Sequence, residues 1–198
     1  MEETDTVQVG KKILQGKQTQ KVLAFYKPVG VTCTERDPHA EKKIMDMIRY
    51  PERLTYAGRL DKDSEGLILL TNDGDLINAM MRGANRHEKE YIVKTDREIT
   101  PDFLEKMAKG IYLKDLDITT RECEIEQIGK FTFRIVLTQG VNRQIRRMCE
   151  ACGYRVKALK RIRIMNILLG DLKPGKWREI TGEELEQLQR DTGMLNRN

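Results

Sequence analysis

A short aliphatic run, Leu67-Ile68-Leu69-Leu70, constrains the fold of this chain more than any other segment. A strand with one face in solvent alternates apolar and polar residues, so a continuous aliphatic run predicts a strand covered on both faces. Charged residues and turn formers lie directly before it, between Gly58 and Gly66, and they include Asp61. We therefore expect a buried strand whose preceding loop holds Asp61 against the protein interior, where a carboxylate is a candidate for chemistry.

Hydrophobic periodicity and turn signals predict alternating strands and helices along the rest of the chain. Thr100 and Pro101 favour a helix start and Gly110 favours its end. The predicted strands cover about 22–26, 54–57, 90–95, 121–128, 131–138 and 155–169, and the predicted helices about 40–49, 75–82, 101–109, 142–152 and 183–190. Because no regular βαβ rhythm is present, we expect an α+β fold with a mixed, mostly antiparallel central sheet and flanking helices.

The length and the polar ends of the chain predict a single folded domain. A chain of 198 residues can bury one sizeable core, which two lobes sharing one sheet could also provide. Residues 1–20 are polar and lack apolar periodicity, so we expect a flexible leader there. The folded domain is expected to cover residues 21–190, followed by a flexible tail over 191–198.

The distribution of charge points to an anionic partner more clearly than its total does. The chain has 36 Lys and Arg against 31 Asp and Glu, a net charge of only +5. From Arg143 to Arg163, however, Glu150 is the only acid among the basic residues Arg143, Arg146, Arg147, Arg155, Lys157, Lys160, Arg161 and Arg163. Such a basic band attracts phosphates, although a solvated helix face would explain part of it.

The cysteines and acidic clusters argue against a metal or a disulfide framework. Cys149 and Cys152 have CxxC spacing without a second pair, and they recur at helical spacing with Ile145 and Met148 as a buried stripe would. Asp61–Gly66 imitates the start of a calcium loop but has Asn72 where the bidentate Glu would stand. We expect no metal, no cofactor and no membrane partner, and a reducing cytoplasmic location.

Several motifs, in order, resemble those of the pseudouridine synthases, in the branch that modifies ribosomal RNA and includes RsuA, RluB and RluF. They are Tyr26-Lys27-Pro28-Val29-Gly30-Val31-Thr32, the stretch from Ala57 to Thr71, Lys89-Glu90-Tyr91 and the stretch from Gly140 to Met148, supported by 161–166 and 175–178. The match runs from about Lys21 to Ile180, and its details look most like the RluF subgroup of large-subunit rRNA enzymes. The resemblance implies a mostly antiparallel sheet whose centre forms an RNA-binding cleft.

The same resemblance implies an enzyme that isomerises a uridine in RNA to pseudouridine without a cofactor. Asp61 is expected to be the catalytic carboxylate, kept ionised by Arg146. It would attack the sugar carbon or help remove a ribose proton, and the sequence does not choose between these routes. Tyr91 is expected to stack on the target uracil and to help remove the C5 proton, whereas Lys27 and Pro28 are expected to be scaffold.

Five arginines are expected to bind the RNA. Arg59 would enter the space left when the target nucleotide is extruded from its stack. The other four belong to the basic band: Arg143, Arg147, Arg161 and Arg163. The alternative for Tyr91 is an ordinary strand aromatic, and for Arg59 a surface partner of a nearby carboxylate.

The expected partner is ribosomal RNA, most closely that of the large subunit, while small-subunit and tRNA targets stay open. A rival hypothesis is a non-catalytic RNA-binding or ribosome-assembly factor, which would need the basic band but has no use for Asp61 beside Arg146 and Tyr91. A methyltransferase would require a glycine-rich βαβ turn that the sequence lacks. Only about twenty residues precede the first motif, so the S4-type module of many relatives is expected to be naturally absent or trimmed. A monomer is expected.

Overall fold

The computed structural model describes residues 7–9, 12–14, 19–34, 43–82 and 86–194. Its strands are β1 Val7–Val9, β2 Lys12–Leu14, β3 Val22–Lys27, β4 Thr55–Tyr56, β5 Glu65–Thr71, β6 Lys89–Thr95, β7 Tyr112–Leu113, β8 Ile118–Thr119, β9 Glu124–Gly129, β10 Thr132–Leu137, β11 Val156–Ile164, β12 Ile167–Leu168 and β13 Trp177–Glu179. Its helices are α1 Ile44–Met47, α2 Gly74–Met81, α3 Pro101–Lys109, α4 Gln144–Ala151 and α5 Gly182–Asp191.

A large mixed sheet organises these elements. Its strands follow the order β13-β3-β5-β11-β6-β10-β9, with β4 also paired to β5 and β12 to β11. The pairing of β5 with β11 is parallel, whereas the other pairings of this sheet are antiparallel. The predicted α+β fold with a mixed, mostly antiparallel sheet is therefore confirmed.

Strand β5 is buried on both faces, as its aliphatic run predicts. Leu67 and Leu69 pack in one core cluster with residues of α2 and α5, and both are fully buried. Ile68 and Leu70 are equally buried but belong to another cluster, which includes Ile44 of α1. Both faces thus lose water contact, and burial of each such side chain contributes about 1.5–3 kcal/mol.

The junction of β5 with β11, here called the seam, depends on Gly66. Gly66 has a φ of +116°, and a Cβ at this position would lie 2.2 Å from the carbonyl oxygen of Arg161. Only glycine allows this conformation and this close approach together. The seam joins a first half of the sheet, β13-β3-β5, to a second half, β11-β6-β10-β9.

Helices α3 and α4 cover the second half of the sheet. Thr100 caps the N-terminus of α3 and Gly110 its C-terminus, as predicted. Ile145, Met148 and Cys149 of α4 are buried in one core cluster, as the predicted apolar stripe requires. Cys152, the fourth member of that stripe, follows the helix and is only partly buried against the cluster. All four cysteines are free thiols.

Other sequence predictions differ from the structure. The helix predicted over 40–49 is confined to α1 among the described residues, because Ile48 has extended backbone angles; 40–42 lie outside the described residues. Within the predicted flexible leader, β1 and β2 pair as an antiparallel hairpin, and residues 1–6, 10–11 and 15–18 lie outside the described part of the chain. The predicted tail begins at the last residue of α5, and its residues 195–198 also lie outside the described part.

Strands β7, β8 and β13 were not predicted; each has two or three residues, too few for a periodic signal. Among the helices that the structure describes, none has the length and apolar character needed to cross a membrane.

Candidate active site

A cleft of about 350 Å³ lies at the seam. The loop before β5 lines one side of it with Arg59, Asp61 and Ser64, while β6 and β11 line the other with Lys89, Tyr91 and Arg161. The segment from the end of β10 into α4 completes the wall. Since both halves of the sheet contribute, the cleft exists only when the seam is formed.

Residues of the first family motif, Tyr26 to Thr32, hold the loop that carries Asp61 in place. Lys27 is fully buried, and its Nζ donates to the carbonyl oxygens of Pro28 at 2.7 Å, Val31 at 2.8 Å and Lys62 at 3.4 Å. The amide of Gly30 also donates to the Lys62 carbonyl, at 2.7 Å. Lys62 follows Asp61 directly, so Lys27 and Gly30 fix the backbone beside the carboxylate. The predicted scaffold role of Lys27 agrees with these contacts.

Among the described residues, Arg143 is the cation that forms an ion pair with Asp61. Its Nη1 lies 3.4 Å from Asp61 Oδ2, and its two terminal nitrogens donate to the two carboxylate oxygens of Asp63, each at 3.0 Å. Arg143 stands at the N-terminus of α4 with a φ of +51°, a left-handed conformation that costs a non-glycine residue about 1–2 kcal/mol. Such conformations persist only where the surrounding structure holds them, and they cluster at functional sites.

Arg146 does not form the predicted ion pair with Asp61. Its Nη1 lies 3.4 Å from the Asp63 carboxylate, and its Nη2 donates to Ser64 Oγ and to the Asp63 carbonyl, each at 3.1 Å. The reason is the left-handed residue at the start of α4, which turns Arg143 towards Asp61. The hydrogen bonds from Arg143 and the charge of Arg146 lower the pKa of Asp63 below its usual value, so Asp63 stays ionised between the two arginines.

Tyr91 and Arg59 both line the cleft, as predicted. Tyr91 is partly buried and packs against the core clusters on both sides of the seam. Arg59 is exposed, while its backbone carbonyl accepts a hydrogen bond from Arg161 at 3.4 Å. The site residues Asp61, Tyr91 and Arg146 are thus brought to one cleft, together with Arg59 and Arg143.

The rest of the predicted RNA-binding set is divided. Arg161 is only 3% exposed and donates to the carbonyl of Leu67 at 2.8 Å, so it is not the surface residue that the basic band suggested. In a regular strand Arg161 and Arg163 would lie on the same face of the sheet. The register of β11 against β6 shifts between these two residues, however, so that Arg161 pairs with Tyr91 and Arg163 pairs with Glu90. Arg163 accordingly binds Glu88, with 3.0 Å between Nη2 and Oε2, and lies on the opposite face of the sheet from Tyr91.

Arg147 remains beside the cleft wall on α4. Its Nε donates to the carbonyl of Asn142 at 2.9 Å, and its Nη1 lies 3.8 Å from the exposed Asp115 carboxylate. These contacts leave it partly exposed, where a phosphate could compete for it.

Sequence reasoning missed Lys89 as a residue of the cleft. Lys89 begins β6, two residues before Tyr91, and it lines the same cleft. Strand alternation places residues two apart on one face, so this spacing was the signal that could have identified it. Burial, with a contribution from the charge of Arg161, lowers the pKa of Lys89.

Comparison with known proteins places this arrangement in one family. Residues 21–151 match the RNA pseudouridylate synthase family. The chain is 44% identical over 93% of its length to the dual-specificity RNA pseudouridine synthase RluF of Escherichia coli (strain K12). It is 34% identical over 85% of its length to the ribosomal large subunit pseudouridine synthase B of Vibrio cholerae, of which it covers 54%.

A solved structure agrees with the sequence relatives. A crystal structure of a pseudouridylate synthase aligns with a TM-score of 0.81 and 27% identity, covering 92% of this chain and 83% of that one. The chain spans 63% of the length of its RluF relative. The family match covers both the loop with Asp61 and the α4 arginines, so the predicted family is confirmed: this chain belongs to the RNA pseudouridylate synthase family.

Proposed function

We propose that this protein isomerises a uridine to pseudouridine in ribosomal RNA, with Asp61 as the catalytic carboxylate. The observation that carries the proposal is the position of Asp61, which lies in the cleft 3.4 Å from Arg143 and is held in place by the Lys27 contacts to its loop. A half-exposed carboxylate with a fixed cation and space in front of it can act on a bound nucleotide. Membership of the family supports the same reaction.

The chemistry requires one carboxylate and no cofactor. The bond between N1 of uracil and C1′ of ribose breaks with its electron pair remaining on the base, and C5 then bonds to C1′. The C5 proton leaves and N1 takes up a proton, so atoms and electrons balance. Asp61 either attacks C1′ directly or helps remove a ribose proton to give a glycal. In both routes Arg143 is the neighbouring cation, while Arg146 positions the turn through Asp63 and Ser64.

Tyr91 and Arg59 act on the extruded nucleotide in this proposal. Tyr91 presents an aromatic side chain to the cleft and would stack on the target uracil, compensating for part of the unstacking energy of roughly a few kcal/mol. Its hydroxyl would assist removal of the C5 proton. Arg59 is exposed at the same cleft and would occupy the space that the nucleotide vacates in the RNA.

The substrate is proposed to be large-subunit ribosomal RNA. This inference rests on the names of two relatives, one a ribosomal large subunit enzyme and the other described as dual-specificity for RNA. Arg143 and Arg147 lie on or beside α4 with exposed or partly exposed side chains, where they can contact phosphates that flank the target. A small-subunit or tRNA uridine is the alternative substrate.

The test is a map of pseudouridines in total RNA from cells with and without the gene, complemented by the normal protein or by Asp61→Asn. We expect one rRNA pseudouridine to disappear with the gene and to return only with the normal protein. In vitro, Asp61→Asn should slow conversion on the order of 10⁴-fold or more while RNA affinity is kept. Asp171→Asn, an exposed carboxylate outside the cleft, is the matched control and should restore the modification.

The outcomes separate the rival functions. Loss of a tRNA or small-subunit site would keep the reaction and correct the substrate. An unchanged map, with rRNA binding intact in both Asp61 forms, would contradict the enzyme and favour the non-catalytic RNA-binding factor. Normal turnover by Asp61→Asn would remove the assignment of Asp61 alone.

A further inference from the structure

Two cations lie side by side on the wall of the cleft that faces Asp61. Lys89 and Tyr91 share a face of β6, and the register of the sheet pairs Tyr91 with Arg161 of β11. All three line the cleft. Tyr91, the residue proposed to stack on the base, therefore has a positively charged side chain on each of two neighbouring positions: Lys89 on its own strand and Arg161 on the paired strand.

Neither cation has an anionic partner among the described residues. Arg161 uses Nε and Nη1 on backbone carbonyls, of Leu67 at 2.8 Å and Arg59 at 3.4 Å, and its Nη2 is buried without a hydrogen-bond partner. The side chain of Lys89 is partly buried and makes no hydrogen bond or ion pair with the described residues. By contrast, Arg143 and Arg146 of the same cleft each form an ion pair with the Asp63 carboxylate.

Burying two unpaired cations together is unfavourable unless something anionic joins them. The lowered pKa of Lys89, which follows first from burial and then from the charge of Arg161, reflects this. Titratable groups that are desolvated and lie beside a specific charge cluster at functional sites. The missing anion is therefore expected to come with the substrate.

We propose that Lys89 donates a hydrogen bond to a carbonyl oxygen of the target uracil and, with the charge of Arg161 behind it, stabilises the uracil anion formed when the base leaves ribose. This inference rests on the proposed pseudouridine synthase activity. When the N1–C1′ bond breaks, the electron pair left on N1 is delocalised over O2 and O4, so the negative charge develops where Lys89 can reach it. Fixed donors aimed at developing charge are among the strongest contributions to catalysis.

A backbone phosphate is the competing ligand for these cations, and the geometry favours the base. Arg161 is 3% exposed and sits at the buried seam, whereas phosphates of a bound RNA stay at the surface beside residues such as Arg59 and Arg143. Lys89 also shares its face with Tyr91, against which the base is proposed to stack.

The experiment compares Lys89→Met, which removes the charge at similar length, with Lys89→Arg, which keeps the charge but cannot act as a base. Single-turnover conversion is measured at saturating enzyme on an rRNA fragment whose target is uridine, 2-thiouridine or 4-thiouridine. We expect Lys89→Met to slow the reaction about 100-fold with RNA affinity within about threefold of wild type. Lys89→Arg should react about tenfold more slowly than wild type, and thus faster than Lys89→Met. Sulfur at one of the two positions should reduce the rate of wild type by a larger factor than it reduces the rate of Lys89→Met.

Lys94→Met is the matched control, because Lys94 lies on the same strand with an exposed side chain on the opposite face. It should react at the wild-type rate within about twofold, as expected for a surface residue remote from the cleft. Since Arg161 also holds two backbone carbonyls, Arg161→Lys, which keeps the charge, is a secondary variant whose unfolding is monitored alongside.

Each contrary result overturns the inference in a recognisable way. Weaker RNA binding by Lys89→Met with an unchanged rate at saturation would assign Lys89 to a phosphate. Lys89→Arg as slow as Lys89→Met would make Lys89 a base, and equal sulfur effects in wild type and Lys89→Met would exclude contact with the base. If wild type converts no uridine, the proposed function fails; if wild type is active and Lys89→Met is equally active, only this inference fails.

Discussion

Lys27 beneath the Asp61 loop and Lys89 on the cleft wall are both removed from water, but their surroundings differ. Lys27 is fully buried and donates to three carbonyl oxygens, at 2.7, 2.8 and 3.4 Å. Lys89 is partly buried and makes no such bond within the described chain. Burial lowers the pKa of both lysines. The direction of a pKa shift therefore does not separate a structural cation from a ligand-binding one, whereas the hydrogen-bond partners do.

Gly66→Ala tests the seam on which both lysines depend, and we expect it to have the largest effect. The added Cβ would lie 2.2 Å from the carbonyl oxygen of Arg161 at a φ that strains any L-residue. The free energy of unfolding should fall by about 4 kcal/mol or more, measured by urea denaturation. Gly74→Ala is the control, because a Cβ there meets nothing within 4 Å and should stabilise α2 by up to about 1 kcal/mol. Equal stability of the two variants would show that the seam can relax.

Lys27→Met tests the structural side of the comparison. The substitution removes the buried donor of three carbonyl oxygens. Those of Pro28 and Val31 lose their ammonium partner, whereas that of Lys62, in the Asp61 loop, keeps the Gly30 amide. We expect a loss of about 2–3 kcal/mol in the free energy of unfolding, measured in the same denaturation assay. A variant as stable as wild type would mean that water or neighbouring amides replace the ammonium group, and the scaffold role would be wrong.

The sequence predicted the parts of this fold that depend on local pattern. The aliphatic run predicted β5, and the Thr100–Pro101 and Gly110 signals predicted both ends of α3. The pairing of β5 with β11 is parallel and joins residues 95 positions apart, such as Gly66 and Arg161, so no local pattern reports it. The two-residue strands β7 and β8 are likewise held by pairing rather than by periodicity.

At the site, residue identities were more predictable than partners. Asp61, Tyr91 and Arg146 do line one cleft. Arg143, and not the predicted Arg146, pairs with Asp61, which we attribute to the left-handed backbone of Arg143. Arg161 and Arg163 lie on opposite faces of the sheet because the register shifts between them. Both are backbone irregularities that a regular helix or strand pattern cannot anticipate.

Lys89→Met tests the lysine proposed to bind the ligand, and we expect it to change the free energy of unfolding in the opposite direction from Lys27→Met. Because Lys89 bears a desolvation penalty without a partner, its replacement by an apolar residue should raise the free energy of unfolding by about 1 kcal/mol, while the reaction slows. Urea denaturation of the free protein measures the stability. A loss comparable to that of Lys27→Met would mean that Lys89 supports the fold, and the contrast between the two lysines would disappear.

The smallest expected effect is the pH dependence of the stability difference between Lys89→Met and wild type, which tests whether the charge of Lys89 causes that difference. The pKa of Lys89 is lower in the folded protein than its ordinary value of 10.5, so between these values the unfolded chain binds more protons. The contribution of Lys89 to the free energy of unfolding of wild type therefore rises with pH through this window, as the folded protein ceases to carry the unfavourable charge. Lys89→Met lacks this rise, so its advantage over wild type should shrink as pH approaches 10.5. The raised pKa of Cys149, about 12, has the opposite influence on stability but is common to both proteins and cancels in the difference.

Urea denaturation from pH 7 to 10.5 measures the difference in free energy of unfolding between Lys89→Met and wild type. A difference that does not change with pH would mean that desolvation of the Lys89 charge is not what destabilises the wild-type cleft.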